Sequence, residues 1–456
     1  MVNYHGGLIV HINRKAYSKL SIWKETQQGQ TAMLIEGARR VGKSYLAKTF
    51  AKKEYRSFIY IDFSNPSPET LEIFKNFSHD LDSFFSRLEL LYNTRLYTRQ
   101  SCIIFDEVQL FPKARQLIKH LVADARFDYI ETGSLISIKR NVQDIVIPSE
   151  EERLELCPLD FEEFLEAIDQ TLVYDAIRDS FNTLKPLGDA LHRRIMTLFR
   201  TYMLVGGMPQ VVSHFAQTNN LLDVRSIQKN ILRLYRDDIA KYADGYELKV
   251  RSIFDEIPSQ LSRHEKRFKL SSLGKHARLR DYDDAFMWLA DSKIVNLCFN
   301  ATDPNVGLKM NLDRTTLKCY MADTGLLTMM ATDDDESMES AIINAILYNK
   351  LSINEGMFFE NIVSQMLYTS GHKLFFYSKN LSTSNRHSTE IDFLIRQAKK
   401  ICPIEVKSSQ YQRHASLDRF SETFSSRLGK KYIIYTKDLR SEGDLVFIPA
   451  YMAGLL

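Results

Sequence analysis

The first third of the chain alternates short apolar runs with stretches of helical periodicity. Four runs, at 32–36, 58–63, 102–106 and 127–132, are rich in apolar residues, as strands buried on both faces are. Helical patterns separate them. This alternation predicts an α/β fold with a parallel sheet over residues 1–150.

The pattern becomes mainly helical after residue 150. Helices predicted at 161–168 and 191–204, with few strand signals, indicate a helical lid or connector over residues 151–222. The next segment predicts helices at 224–240, 250–261, 270–277 and 281–291, then strands at 294–299 and 317–321. Helices followed by a β-hairpin favour a winged-helix-like domain at 223–330.

An acidic, apolar-poor stretch that includes Asp333, Asp334, Asp335 and Glu336 predicts a linker over 331–352. The chain then changes character again. An amphipathic helix is expected at 355–367, with strands at 374–377, 390–395 and 401–407. These elements predict a separate C-terminal α/β domain at 353–456.

The turn after the first predicted strand has the spacing GxxxxGKS, which is typical of a phosphate-binding loop. Gly37 and Gly42 let the backbone curl, so that successive N–H groups face one point at the helix N-terminus. We expect Lys43 to reach the β- and γ-phosphates and Ser44 to hold magnesium. The predicted ATP-binding set is Gly37, Ala38, Arg39, Arg40, Val41, Gly42, Lys43, Ser44 and Tyr45.

The third predicted strand ends in two adjacent carboxylates, Asp106 and Glu107. Asp106 is expected beside the magnesium held by Ser44, and Glu107 is placed to polarise a water for attack on the γ-phosphate. The alternative is a solvated strand terminus. At the end of the fourth strand, Thr132 or Ser134 is expected to orient the attacking water.

Composition and charge restrict the classes of protein that the chain can belong to. It has 456 residues, 44% of them hydrophobic, and a formal net charge of +3, so no global field indicates a nucleic-acid partner. The sequence shows neither an apolar run near the ~18 residues of a membrane span nor a secretory signal. Its five cysteines are scattered. We therefore expect a reduced, cytoplasmic protein without a membrane partner.

Positive charge is concentrated locally. Residues 263–280 contain seven lysines and arginines and a single acid, Glu265. Such a cluster suits contact with DNA phosphates. The alternative is a solvated basic face of a helix.

The predicted C-terminal strands carry a second group of charged residues. Glu405 and Lys407 are two apart and share a strand face, and Asp392 is expected on a strand paired with theirs. Together with Glu360 on the preceding helix, these residues suit a magnesium or manganese site with a lysine that positions a water. Salt-bridged strand charges on a solvent face are the alternative.

These motifs resemble a known family of prokaryotic AAA-type ATPases that carry a C-terminal domain of unknown function. The resemblance rests on the GxxxxGKS loop, the segments 105–109 and 132–134, and the segment 158–164, Pro-Leu-Asp-Phe-Glu-Glu-Phe. At the C-terminus, the segments 359–361, 390–392 and 404–407 are similar to the PD-(D/E)XK nuclease core.

The resemblance implies roles for individual residues. It implies phosphate and magnesium contacts from Gly42, Lys43, Ser44 and Asp106, with Glu107 as catalytic base. It also implies a charge-stabilising arginine at Arg153, although Glu152 stands where family members usually have glycine. In the nuclease-like core it implies Glu360, Asp392 and Glu405 as metal ligands and Lys407 as the catalytic lysine.

Three hypotheses follow from the sequence. The first is an ATP-hydrolysing enzyme that acts on double-stranded DNA, in which Asp392→Ala abolishes metal-dependent cleavage and leaves ATP hydrolysis intact. The second is a nucleotide-gated binding or signalling protein whose nuclease-like module is catalytically silent. The third is an ATPase with a protein partner. The sequence leaves the oligomeric state open.

Overall fold

The computed structural model describes residues 12–134, 147–263, 267–275, 277–305, 307–332, 336–347, 355–379, 389–408 and 411–456. The chain divides into two compact units. The N-terminal unit comprises residues 13–157 and 291–293. The C-terminal unit comprises the described residues of 158–290 and 294–456, together with Ile12. Among the described residues, no helix is long and apolar enough to cross a membrane.

The N-terminal unit is built on a five-stranded parallel sheet. Its strands are β1 Ala32–Glu36, β2 Ser57–Asp62, β3 Ser101–Asp106, β4 Asp128–Gly133 and β5 Glu151–Glu155. The helices are α1 Ala16–Gln27, α2 Lys43–Glu54, α3 Pro68–Asn76, α4 Leu81–Leu91 and α5 Pro112–Asp124. The strand order is β2-β3-β4-β1-β5, and every pair in it is parallel. The predicted parallel sheet is confirmed.

Strand β5 was not predicted, and it lies beyond residue 150, where the sequence placed the end of this domain. Its residues read Glu-Glu-Arg-Leu-Glu. Among the residues that the structure describes, it lies at the edge of the sheet and pairs with β1. Charged side chains are common on edge strands, where they protect unpaired backbone groups from further pairing. Hydrophobic periodicity therefore does not reveal it.

Both faces of the sheet are buried, which explains the runs rich in apolar residues. Leu34 and Phe105 pack in the core on one face, whereas Ile35 and Ile104 pack in the core on the other. Successive side chains of a strand point to opposite faces. Helices therefore have to cover both faces, as in a typical α/β unit.

The first part of the C-terminal unit is helical. Its helices are α6 Phe161–Ala167, α7 Thr171–Thr183, α8 Asp189–Val205, α9 Pro209–Thr218, α10 Leu221–Tyr242, α11 Glu247–Ser262 and α12 Asp283–Asp291, the last residue of which belongs to the N-terminal unit. The helix predicted at 270–277 is wrong. The chain forms only short 3-10 turns at Leu270–Ser272 and Leu279–Asp281, and Gly274, a poor helix former, lies between them.

Two further sheets complete the C-terminal unit. In the first, β6 Val295–Ala301 pairs antiparallel with β7 Leu312–Met321, as the predicted hairpin requires. Strand β8 Phe375–Lys379 joins β6 in parallel, and β9 Thr389–Ile391 pairs with β8. The hairpin of the predicted winged-helix-like domain thus shares a sheet with strands from the predicted C-terminal domain.

The second sheet has the order β10-β11-β12-β14-β13. Its strands are β10 Phe393–Gln397, β11 Lys400–Val406, β12 Lys431–Tyr435, β13 Arg440–Glu442 and β14 Leu445–Pro449. The sequence predicts that the strand before Glu405 pairs with the Glu405 strand, and β10 and β11 indeed pair antiparallel. The single strand predicted at 390–395 is instead split at Asp392 into β9 and β10, which belong to different sheets. The Asp392 carboxylate accepts a hydrogen bond from the Val406 backbone N–H, and the strand is interrupted at this residue.

The remaining helices are α13 Thr324–Met330, α14 Glu336–Leu347, α15 Glu355–Thr369 and α16 Ala415–Phe424. Helix α14 lies inside the segment predicted as a linker, where Ile343 and Ile346 are buried. The three aspartates at 333–335 lie outside the described residues. The acidic residues at the start of the segment suggest a linker, although the second half of the segment is apolar and forms a helix.

Buried amides fix α15 against the end of β7. Asn361 accepts a hydrogen bond from the Met321 backbone N–H at 2.9 Å and donates to the Met321 carbonyl at 3.1 Å. One turn later, Gln365 Oε1 accepts from the Thr324 N–H at 2.8 Å. Because these bonds set the register between helix and strand, they also fix the position of Glu360 relative to β7.

We predict that Asp323→Ala lowers the free energy of unfolding of the C-terminal unit by about 2 kcal/mol. Asp323 is buried and accepts hydrogen bonds from the N–H groups of Gly207 at 2.6 Å and Leu326 at 2.9 Å. Truncation leaves both donors without this acceptor. Urea denaturation measures the change, and Asn220→Ala, at an exposed helix cap of the same unit, is the control with a smaller loss. Equal losses in the two variants would contradict this account.

Candidate functional site

The loop between β1 and α2 has the backbone shape that its glycines predict. Gly42 has φ 97°, a left-handed conformation that glycine adopts without strain. Gly37 packs closely against the segment that contains Leu156, and a Cβ at position 37 would come within 2.4 Å of the Leu156 carbonyl oxygen. Helix α2 starts at Lys43, and its first N–H groups have no acceptor within the helix. The loop therefore ends at an anion-binding helix N-terminus.

Lys43 is held inside this loop. Its Nζ donates to the carbonyl oxygens of Gly37 and Ala38, both at 3.1 Å, and its side chain is buried. Arg39, Arg40 and Tyr45 are exposed around the loop. The ammonium is thus fixed at the point where the predicted phosphate contact requires a positive charge.

Arg14 supports the loop from outside, a residue that the sequence reasoning missed. Its guanidinium donates to the carbonyl of Val41 at 3.1 Å and to that of Cys157 at 2.6 Å. The two acceptors are far apart in sequence, so no local pattern could have identified this contact. Arg14 ties the loop to the chain segment that follows β5.

Asp106 collects hydroxyl donors from three elements at the carboxyl end of the sheet. Its carboxylate accepts from Ser44 Oγ at 2.6 Å, from Thr132 Oγ1 and from the Tyr60 hydroxyl. The strand order places β4 between β1 and β3, so Thr132 lies between the loop strand and the Asp106 strand. The structure thus brings Ser44, Asp106 and Thr132 together.

Tyr60 is the second residue that the sequence reasoning missed. It lies on β2, between the buried Ile59 and Ile61, and therefore faces the side covered by α2. The Lys48 ammonium sits 3.4 Å from the centre of its ring. The alternation of β2 could have placed Tyr60 on this face, but only the sheet order shows that it reaches Asp106.

Glu107 is oriented by its neighbours. Its backbone is left-handed, with φ 52°, a conformation rare for residues other than glycine and often found at functional sites. The carboxylate Oε2 accepts from Gln109 Nε2 at 2.5 Å and from Ser134 Oγ at 3.4 Å. Glu107 and Ser134 therefore form a polar pair next to the Asp106 group.

Arg153 is placed differently. It lies on the edge strand β5 in register with Leu34, inside the sheet rather than at its carboxyl end, and its side chain is exposed. The loop starts only at Gly37. The structure does not group Arg153 with the hydroxyl and carboxylate groups around Asp106.

The predicted C-terminal site contains a lysine that the sequence reasoning did not include. Lys318 on β7 is buried, and its Nζ lies 3.1 Å from Glu360, 3.0 Å from Glu390 and 3.4 Å from Asp392. Burial alone would lower the pKa of the ammonium, but the three carboxylates outweigh it and raise the pKa well above its usual value. Lys318 therefore carries its positive charge in the folded protein.

Glu405 and Lys407 form a neighbouring ion pair. Lys407 Nζ lies 3.4 Å from Glu405 Oε2. Burial raises the pKa of the Glu405 carboxyl to about 7, although the Lys407 charge lowers it. Asp392 is close by, because it accepts a hydrogen bond at 2.9 Å from the backbone N–H of Val406.

The predicted metal ligands of this site are Glu360, Asp392 and Glu405. Across the described part of the chain, no set of three or more acidic, histidine or cysteine side chains is placed to hold a metal ion. The Lys318 ammonium contacts two of these predicted ligands, Glu360 and Asp392. No sequence pattern links position 318 to the acids, which are 42 to 74 residues away in the chain.

Comparison with solved structures finds similar chains of low identity. The Walker-type ATPase PABY2304 of Pyrococcus abyssi is 15% identical, with a TM-score of 0.41, over 70% of this chain and 96% of that one. The Orc1 protein of Aeropyrum pernix, solved in complex with DNA, is 12% identical, with a TM-score of 0.30, over 75% and 96%. The RuvB Holliday junction branch migration motor of Thermotoga maritima is 14% identical, with a TM-score of 0.28, over 49% and 78%.

Three family models match separate parts of the chain. Residues 196–337 and 355–452 match two domains of unknown function, DUF8612 and DUF4143. Residues 29–165 match a model described as an AAA domain. No curated protein matches the chain. The segment 29–165, which carries the phosphate-binding loop and the Asp106 group, is therefore similar to an AAA domain.

Proposed function

We propose that the protein binds ATP with Mg²⁺ at the β1–α2 loop and hydrolyses it. The observation that carries the proposal is the 2.6 Å contact between Ser44 Oγ and Asp106. It places a hydroxyl from the loop and a carboxylate from β3 together, and both are hard oxygen ligands that suit Mg²⁺. Bound Mg²⁺ would neutralise charge on the β- and γ-phosphates.

Each neighbouring side chain has a role in this proposal. Lys43 exchanges its two loop carbonyls for the β- and γ-phosphate oxygens. Glu107 accepts the proton of the attacking water, while Gln109 and Ser134 hold its carboxylate in place. Thr132 and Tyr60 fix Asp106 through hydrogen bonds. The role of Arg153 as a charge-stabilising group has no support from its position on β5.

We further propose that the C-terminal unit contacts DNA through the basic segment 263–280. Lys275, Arg278 and Arg280 are exposed and line an open cavity of about 610 Å³, together with Ala277 and Asp281. Three cations and one acid around an open cavity suit a phosphate backbone. In this view, ATP turnover responds to DNA binding.

A second candidate function is a nucleotide-gated binding or signalling protein. A specific observation favours its central feature, a catalytically silent nuclease-like module. The buried Lys318 ammonium lies among the acids that a metal-dependent nuclease would use to hold its metal. In this view ATP turnover is slow and the protein cleaves no nucleic acid.

We predict that Lys43→Ala lowers steady-state phosphate release from Mg²⁺-ATP by roughly 100-fold and weakens ATP binding. The Lys43 ammonium makes hydrogen bonds to carbonyls of the loop and adds no apolar packing to the core, so thermal unfolding should remain close to that of the wild type. Lys52→Ala, an exposed lysine on the same helix, is the matched control and should hydrolyse ATP normally. Wild-type turnover by Lys43→Ala would refute the assignment of the loop.

The DNA proposal predicts that duplex DNA stimulates ATP hydrolysis and that the triple reversal Lys275→Glu, Arg278→Glu, Arg280→Glu abolishes this stimulation. The reversal should also reduce the salt dependence of DNA affinity by a slope of roughly three, because three phosphate contacts are lost. Both quantities can be measured with one duplex at several salt concentrations.

A control with the same change in net charge separates a local effect from a global one. Lys185, Arg193 and Arg233 are exposed residues of the C-terminal unit outside the basic segment. Reversing these three to Glu should leave most of the DNA stimulation intact. If both triple variants lose it equally, the segment 263–280 is not the DNA contact. Turnover that ignores DNA in the wild type would favour a protein partner.

A further inference from the structure

Lys318 occupies the centre of the C-terminal acidic cluster, which we define as Glu360, Glu390, Asp392 and Glu405. The lysine belongs to β7, and its side chain is 1% exposed. Tyr320, two residues later and hence on the same face of the strand, donates its hydroxyl to Glu360. Strand β7 thus presents two donors to the acidic side chain of α15.

The number of N–H donors on the Lys318 ammonium equals the number of carboxylates close to it. It has three N–H donors, and three carboxylates lie at 3.0 to 3.4 Å. These carboxylates come from different parts of the fold. Glu360 is on α15, Glu390 on β9, and Asp392 at the junction between two sheets. The Lys318 ammonium therefore has one nearby carboxylate for each of its three N–H donors.

A divalent cation would need the same oxygens. Mg²⁺ binds carboxylate oxygens at about 2.0–2.1 Å, and a divalent cation bound to these oxygens would have to approach the region that the ammonium fills. The Lys318 side chain is only 1% exposed, and its Nζ lies 5.2 Å from the centre of the Phe376 ring. Two cations in this space would repel each other strongly at low local dielectric.

We propose that Lys318 is the resident cation of the acidic cluster and excludes a divalent metal ion from it. The proposal concerns the C-terminal unit and stands independently of ATP hydrolysis. It also predicts that the cluster becomes a divalent-cation site once the lysine is removed. Glu405 would then contribute, because its Oε2 is buried and has no hydrogen-bond partner among the described residues, with Lys407 at the ion-pair distance of 3.4 Å.

The first test compares the wild type with Asp392→Asn. Equilibrium dialysis with Mn²⁺ alone, without nucleotide, gives the number of ions bound per chain. Any Mn²⁺ at the β1–α2 loop is common to both proteins and cancels. We expect equal numbers, because the cluster holds no metal in the wild type. The loss of one Mn²⁺ per chain in Asp392→Asn would overturn the proposal.

The second test removes the lysine. Lys318→Met keeps the side-chain length without the charge, and we expect it to bind one additional Mn²⁺ per chain, which Asp392→Asn in the same chain should abolish. Lys407→Met, the loss of a neighbouring lysine that leaves Lys318 in place, is the matched control and should gain no ion. A folded Lys318→Met chain without an additional Mn²⁺ would contradict the proposal. If Lys318→Met does not fold, the comparison with Asp392→Asn alone decides.

Discussion

The candidate nucleotide site depends on one constraint, the parallel pairing of β1, β3 and β4. Parallel strands end at the same edge of a sheet, so the loop after β1, the carboxylates after β3 and the hydroxyls at the end of β4 must meet there. The hydrogen bonds of Ser44 and Thr132 to Asp106 are the direct result. Without that pairing, these side chains would be separated by helices and could not act on one phosphate.

The two charged centres of the protein are built by different means. Around Asp106, three neutral hydroxyls donate hydrogen bonds to the carboxylate, and its oxygens can still coordinate a cation. Around Lys318, three carboxylates converge on one buried ammonium, which has three N–H donors. The first arrangement is suited to receive a magnesium ion with a nucleotide. The second is complete without an added ion, and this difference separates the proposed enzymatic unit from the proposed binding unit.

Much of the N-terminal unit could be predicted because the sequence signals for its strands and its loop each lie within a short segment. Strands β1 to β3 are short runs rich in apolar residues, β4 contains the apolar pair Tyr129 and Ile130, and the loop residues are contiguous in the sequence. Strand β5 could not be predicted, since its charged residues give no apolar signal at a sheet edge. Arg14 and Tyr60 were missed because their partners are distant in sequence and are brought close only by the fold.

The C-terminal unit was harder to predict for the same reason. The hairpin of β10 and β11 was expected, but the break at Asp392 depends on contacts with Val406 and Lys318. The sequence identified the four charged residues of the nuclease-like pattern and missed the lysine that lies among them. A pattern of acids does not reveal which cation they hold when that cation comes from another strand.

The most direct test of the account is ATP hydrolysis by Glu107→Gln beside the wild type, with ATP binding measured on both. The account predicts that the variant binds Mg²⁺-ATP with near wild-type affinity and that its turnover falls by roughly 100-fold, because only the proton acceptor is lost. Unchanged turnover would contradict the assignment of Glu107 as the base. An absence of ATP hydrolysis in the wild type would contradict the proposed function itself.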